Sequence, residues 1–185
     1  FDPHTAPYAV DCLLPAEDLD PISLRRLRLS YANAVDATVG FLDEVIAQLR
    51  QRPEPVFFVY TSDHGDALLD DSRQIWSHGL RHPTRWDVQV PAVFWANDAW
   101  RATHAAQWAN LQAQVGAPLM HADVVPTLLA AADVRYDEPR RVPVDLLARA
   151  VPPRRRDVQV RLGETISWQT LVDEAREAGP YVPHY

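Results

Sequence analysis

The chain has a single cysteine, Cys12, so no disulfide can close within it and cysteine usage leaves the redox compartment open. No apolar stretch approaches the roughly 18 residues needed to span a bilayer, and no signal-peptide pattern opens the chain. Internal repeats and low-complexity segments are absent as well. Positive charge is in deficit: 18 Lys and Arg stand against 25 Asp and Glu, a net charge of −7. That balance argues against a nucleic-acid partner. The basic clusters, Arg25-Arg26-Leu27-Arg28 and Arg154-Arg155-Arg156, are short and expected to be solvated surface or helix stems. What the chain does have is core material. Hydrophobic residues make up 47% of its 185 residues, with six Trp, six Tyr and five Phe, enough for one domain of ordinary size. The opening "FDPHTAPYAVDC" reads as the interior of a longer polypeptide.

Four prolines mark residues 1–21 as irregular. From Ile22 to Gln51 the spacing predicts a long helix, with Leu24, Leu27, Tyr31, Ala34, Val35, Thr38, Leu42, Val45, Ile46 and Leu49 on one face. Pro53 and Pro55 end it. Val56–Tyr60 is a continuous apolar run, the form of a strand covered on both faces in a parallel sheet. Helix followed by buried strand is half of a β-α-β unit, which places the fold in the α/β class. Residues 65–89 read as a long polar loop, and 90–95 as a second strand with Pro91 near its start. Helices are expected over 102–115, with Trp108 and Leu111 inward, and over 123–132. In the second, Asp123 would cap, Pro126 would sit in the first turn, and Leu128 and Leu129 would face the core. Val158–Leu162 reads as a strand and Trp168–Ala178 as a short amphipathic helix.

Chemistry concentrates in "YTSDHGDALLDDSRQIWSHG", Tyr60–Gly79. In open α/β sheets ligands bind beyond the carboxyl ends of strands, where Asp63 and His64 fall. A carboxylate beside an imidazole suits a borderline divalent metal such as zinc. The alternative is that Asp63 caps the next segment and His64 is an incidental loop histidine. A second His-Gly pair at His78-Gly79, fourteen residues later and followed by His82, favours the metal reading. Asp66, Asp70 and Asp71 are expected to form a solvated acidic loop, the alternative being attraction of a second cation or an amine. His121 and Asp123 are expected to position the Pro-Thr-Leu-Leu helix. Trp76 and Trp86 belong to the core or its rim, or wall a lipid or sugar pocket.

Taken in order, "VYTSDHGD", "SHG", "VPAVFW" and "HADVVPTLL" resemble the C-terminal half of the alkaline phosphatase–sulfatase superfamily, over roughly Tyr31–Val134. Within it, the His-Gly after the Asp-His-Gly loop, the "VPAVFWANDAWR" segment and the helix "YANAVDATVGFLDEVIAQL" are most similar to bacterial phosphoethanolamine transferases. The sequence departs at Val39, where those enzymes commonly carry Asp.

The resemblance implies an alkaline-phosphatase-like three-layer α/β/α sandwich with a mostly parallel sheet. Residues 1–185 would form the C-terminal part of one catalytic domain. It implies Asp63 and His64 as ligands of Zn²⁺, with a second divalent cation as an option, and His78 as the histidine that contacts the phosphoryl group, a second metal or the leaving oxygen. A Thr nucleophile, the remaining ligands and the membrane helices would lie upstream, so that these residues alone would be inactive. The implied activity moves phosphoethanolamine from a phospholipid donor to lipid A or another envelope glycan, through a phospho-Thr intermediate, at the periplasmic face of the bacterial inner membrane. The alternatives are a sulfatase or phosphoglycerol transferase with the same C-terminal motifs, and a metal-free binding domain that keeps the fold without catalysis.

Overall fold

The computed structural model describes residues 21–79, 81–134, 144–148, 150–161 and 163–182. Cys12, His4 and most of the Pro-rich opening lie outside them. The chain divides into two compact units. One is built from residues 1–45, 62–90 and 157–185, the other from 46–61 and 91–156.

The long helix α1 spans Pro21–Arg50, close to its predicted bounds. Its apolar face is not covered along its whole length. Leu24 and Leu27 are buried, packing with Leu69, Trp76 and Tyr181. In its middle Tyr31, Val35 and Val39 are exposed. Arg28, exposed on α1 as expected, also donates to the carbonyls of Leu68 and Leu69 at 2.6–3.1 Å.

In the second unit β1 (Phe57–Thr61) pairs with β4 (Ala92–Ala96), Phe58 opposite Trp95 and Tyr60 opposite Val93. Both strands were expected, and both begin a residue or two later than the apolar runs. The pairing is antiparallel, so the parallel neighbour expected for β1 is not met among the described residues. Its apolar character is explained by packing: Phe57 and Phe94 lie against the main core of Ala96, Trp100, Leu111, Ala131, Val144, Leu146 and Leu147. Buried Asn97 ties the ends together. Its Oδ1 accepts from Val56 N–H and, as N-cap of α3 (Asp98–Thr103), from Trp100 N–H, while Nδ2 donates to the carbonyls of Arg52 and Glu54. The helix predicted over 102–115 is two helices, α3 and α4 (Ala105–Gln112), broken at His104, whose ring stacks on Trp100 at 4.3 Å.

Asp123 holds the N-cap position of α5 (Val124–Ala131), as expected, but its side chain makes no capping bond to that helix. It closes a 3₁₀ turn, His121–Asp123, and works as a buried hub. Its carboxylate accepts from the backbone N–H groups of Met120 and Val144, both at 2.8 Å, and from Arg154, expected on the surface or as a helix stem and found mostly buried. Thr127 donates to the Asp123 carbonyl and accepts from Leu146 N–H. Of the two leucines expected in the core, Leu128 is 40% exposed, because Pro126, Thr127 and Ala131 occupy the buried face. Leu146 and Leu147, for which no element was expected, are buried at 1% exposure or less. His121 lies beside Thr61, Nε2 to Oγ1 at 3.3 Å, consistent with its expected structural place.

The first unit holds the polar loop, which is more ordered than its sequence suggested. Within it lie β2 (Ala67–Leu68) paired with β3 (Trp76–Ser77), and a one-turn helix α2 (Arg85–Val88). A hairpin of β5 (Asp157–Arg161) and β6 (Glu164–Ser167) leads into α6 (Trp168–Ala178). Ser167 caps α6 through Thr170 N–H, and Leu171 seats it at full burial, worth about 1.5–3 kcal/mol. No helix among the described residues is long and apolar enough to cross a membrane.

A candidate metal centre

Directly after β1 the chain turns sharply. Ser62 Oγ donates to the His64 carbonyl at 2.7 Å, and the Asp63 carboxylate accepts from His64 N–H at 3.0 Å. Gly65 then passes so close to α2 that a Cβ there would run into the Trp86 carbonyl oxygen. Only glycine allows this approach, and its N–H donates to the Asp87 carbonyl at 2.7 Å. A capping box holds α2 in place, Thr84 N–H on the Asp87 carboxylate at 2.6 Å and Asp87 N–H on the Thr84 hydroxyl. The remaining carboxylate oxygen of Asp87 is buried with no hydrogen-bond partner among the described residues.

This turn brings His64, Asp66 and His78 together, with one ligating atom from each within 4.8 Å of the others. The two imidazoles stack, centroids 3.8 Å apart at 30°. Each ring has Nδ1 engaged: His64 with the Gly65 carbonyl at 2.9 Å, His78 with the Asp66 carboxylate at 2.6 Å. If Nδ1 donates in both, the tautomer leaves each Nε2 lone pair for a ligand, the arrangement that metal-binding histidines use. Asp63 lies outside this group. Its side chain is 88% exposed and its carboxylate is 3.8 Å from His64 Nε2.

Charge is arranged to favour a cation. The His64 pKa is raised above the ordinary imidazole value, first by the Gly65 carbonyl and then by Asp63, Asp66 and Asp87, with burial opposing. The Asp63 carboxyl is lowered, chiefly by the His64 backbone N–H. Two imidazoles and a carboxylate are a donor set that suits zinc. The residues present therefore fit a divalent metal.

Sequence reasoning singled out Asp63, His64 and His78, and named Asp66 only within an acidic loop, with a second cation as the alternative to solvation. Three aspartates in six residues looked like one acidic loop, and nothing in their spacing separated them. The structure separates them. Asp66 bonds His78, Asp70 accepts from Leu68 N–H at 2.7 Å, and Asp71, 2% exposed, is gripped by Arg73. Trp76 packs in the core against Leu24, Leu27 and Leu69, while Trp86 is half-buried under the Arg85 guanidinium.

Comparison with known proteins gives this site its context. The sulfatase family model matches residues 2–134. The chain belongs to the sulfatase family. That membership carries the alkaline-phosphatase-like α/β fold, and it places the chain among hydrolases and transferases that generally use a divalent metal. Among curated proteins it is similar to a phosphoethanolamine transferase, EptA, of Helicobacter pylori, 26% identical over 90 residues. The match covers 48% of this chain and only 17% of that relative's length. No solved structure matches.

Proposed function

We propose that this chain carries part of the active site of a zinc-dependent phosphoethanolamine transferase. The observation that carries the reading is the convergence of His64, Asp66 and His78 in a sulfatase-family chain that is similar to EptA. His64 and Asp66 would hold the metal, with Asp63 within reach of His64 to join them. Zinc, when bound, offsets negative charge on phosphoryl oxygens and eases deprotonation of a nucleophile. His78, its Nδ1 anchored on Asp66, would present Nε2 to the phosphoryl group, the leaving oxygen or a second cation.

The substrates in this reading are a phospholipid donor and lipid A or another envelope glycan as acceptor, at the periplasmic face of the bacterial inner membrane. The nucleophilic Thr and the remaining ligands would come from a further segment of the same polypeptide. The exposed apolar residues in the middle of α1, Tyr31, Val35 and Val39, would suit packing against such a segment.

The test uses the full-length protein with phosphatidylethanolamine vesicles and lipid A, followed by mass spectrometry. Zinc-dependent addition of phosphoethanolamine to lipid A or another envelope glycan, lost in His64→Ala, is the expected result. A second reading, a sulfatase, is favoured by the family match itself. Release of sulfate from a sulfate ester, with no transfer, would replace the first reading with the second.

A further inference from the structure

The helix α6, residues 168–178, lies beyond the stretch matched by the family model, yet it is bonded into the loop that carries His78. Glu174, midway along α6, accepts from Arg73 Nη1 at 3.1 Å and bonds His82 Nε2 at 2.9 Å. Arg73 in turn clasps Asp71 through Nε and Nη2 at 2.6–3.1 Å. At the end of the same helix Ser72 Oγ donates to the Ala178 carbonyl at 2.6 Å, and Ser72 N–H to the Gly179 carbonyl at 3.1 Å. The helix therefore holds the loop on both sides of His78, at 71–73 and at His82. It also packs on α2, whose Trp86–Asp87 backbone closes on Gly65 beside His64.

The held loop needs holding. Gln74 and Ser77, neither of them glycine, have φ of +55° and +71°, and Leu69 just before them has +54°. Such a left-handed conformation is unfavourable for a residue with a side chain and persists only where the surroundings over-determine it. Ser77 immediately precedes His78, so its backbone conformation sets where that imidazole points.

We propose that the C-terminal helix α6, residues 168–178, forms a brace that positions the His64, Asp66 and His78 group, with Glu174 as the bridging residue. Glu174 is a positioning residue, acting through Arg73 and His82. The inference rests on the metal reading of that group.

The test measures zinc affinity of the full-length protein by competition with a chromophoric chelator, together with the visible spectrum of the cobalt-substituted protein. Glu174→Ala and His82→Ala are expected to weaken zinc by about tenfold, the low end for loss of an outer support of a metal site, and to alter the cobalt spectrum. Glu174→Gln, which keeps the length and one acceptor oxygen, should recover part of the loss. Arg176→Ala, on the exposed side of the same helix, should match wild type. Should Glu174→Ala fail to fold, His82→Ala decides the matter, because it removes only a half-exposed side chain. Wild-type affinity and spectrum in His82→Ala, and in Glu174→Ala where it folds, would overturn the brace while leaving the metal reading intact. Absence of zinc binding in the wild-type protein would remove the metal reading and the brace with it.

Discussion

Two carboxylate-and-histidine motifs, "DHGD" at 63–66 and "HAD" at 121–123, look alike on paper and have opposite fates in the fold. Asp123 is 1% exposed, and its oxygens are taken up by two backbone N–H groups and the Arg154 guanidinium. Around Asp63 the side chains are exposed or half-buried, and two imidazoles crowd together at 3.8 Å with Nδ1 engaged in each. The difference is unspent bonding capacity. A buried carboxylate whose partners are all internal is holding the fold together. Exposed imidazoles oriented by their neighbours, in a field of aspartates, are arranged for a partner from outside.

Four changes would break or sharpen that contrast. The largest effect belongs to Asp123→Ala. It leaves a half-buried guanidinium and two backbone N–H groups without their acceptor, so a loss of about 3–5 kcal/mol is expected. Thermal unfolding reads it, and a variant within about 0.5 kcal/mol of wild type would show that the hub is not structural. Gly65→Ala comes next. Its Cβ meets the Trp86 carbonyl, so α2 must shift or the Gly65–Asp87 bond must break, at about 1–3 kcal/mol. Denaturant unfolding combined with zinc titration should find both stability and zinc affinity reduced.

Asp66→Ala should act on the metal far more than on the fold. Loss of the carboxylate that orients His78 is expected to weaken zinc about 10- to 100-fold with little change in melting temperature. Unaltered zinc affinity in this variant would return Asp66 to the solvated acidic loop first expected. The smallest effect is on pH. Because the Gly65 carbonyl and nearby carboxylates raise the His64 pKa, its proton is released only above the ordinary value of about 6.5. Zinc uptake should therefore displace a proton from His64 and strengthen as pH rises. The sign for apo stability is the reverse: the contribution of protonated His64 is complete below about 6.5 and fades as pH rises through the raised pKa. A proton-release titration during zinc addition checks both directions.

Much of this was legible without coordinates. The Pro pair after Arg50 ends α1, the apolar run at 56–60 marks β1, and Trp168–Ala178 is helical over its predicted span. The ordered motifs pointed to the family, and the two His-Gly pairs marked the segment that carries the candidate site. These features are local, set by periodicity, turn chemistry and the spacing of a few side chains.

Tertiary structure decided the rest, because distance in space is not written in spacing. Asp66, Asp70 and Asp71 share composition and neighbourhood, yet folding gives one to a histidine, one to a backbone N–H and one to a buried arginine. Arg154 belongs to a short basic cluster with nothing to mark it until the fold brings it the buried carboxylate of Asp123 from 31 residues away. Glu174 carries no motif, and its meaning arises only where α6 meets Arg73 and His82 across some ninety or a hundred positions of chain. The sequence by itself determined the local elements, the family and the identity of the histidines. Only the packing of distant segments decided which carboxylates serve the fold and which serve the site, since burial and pairing are properties of neighbours in space.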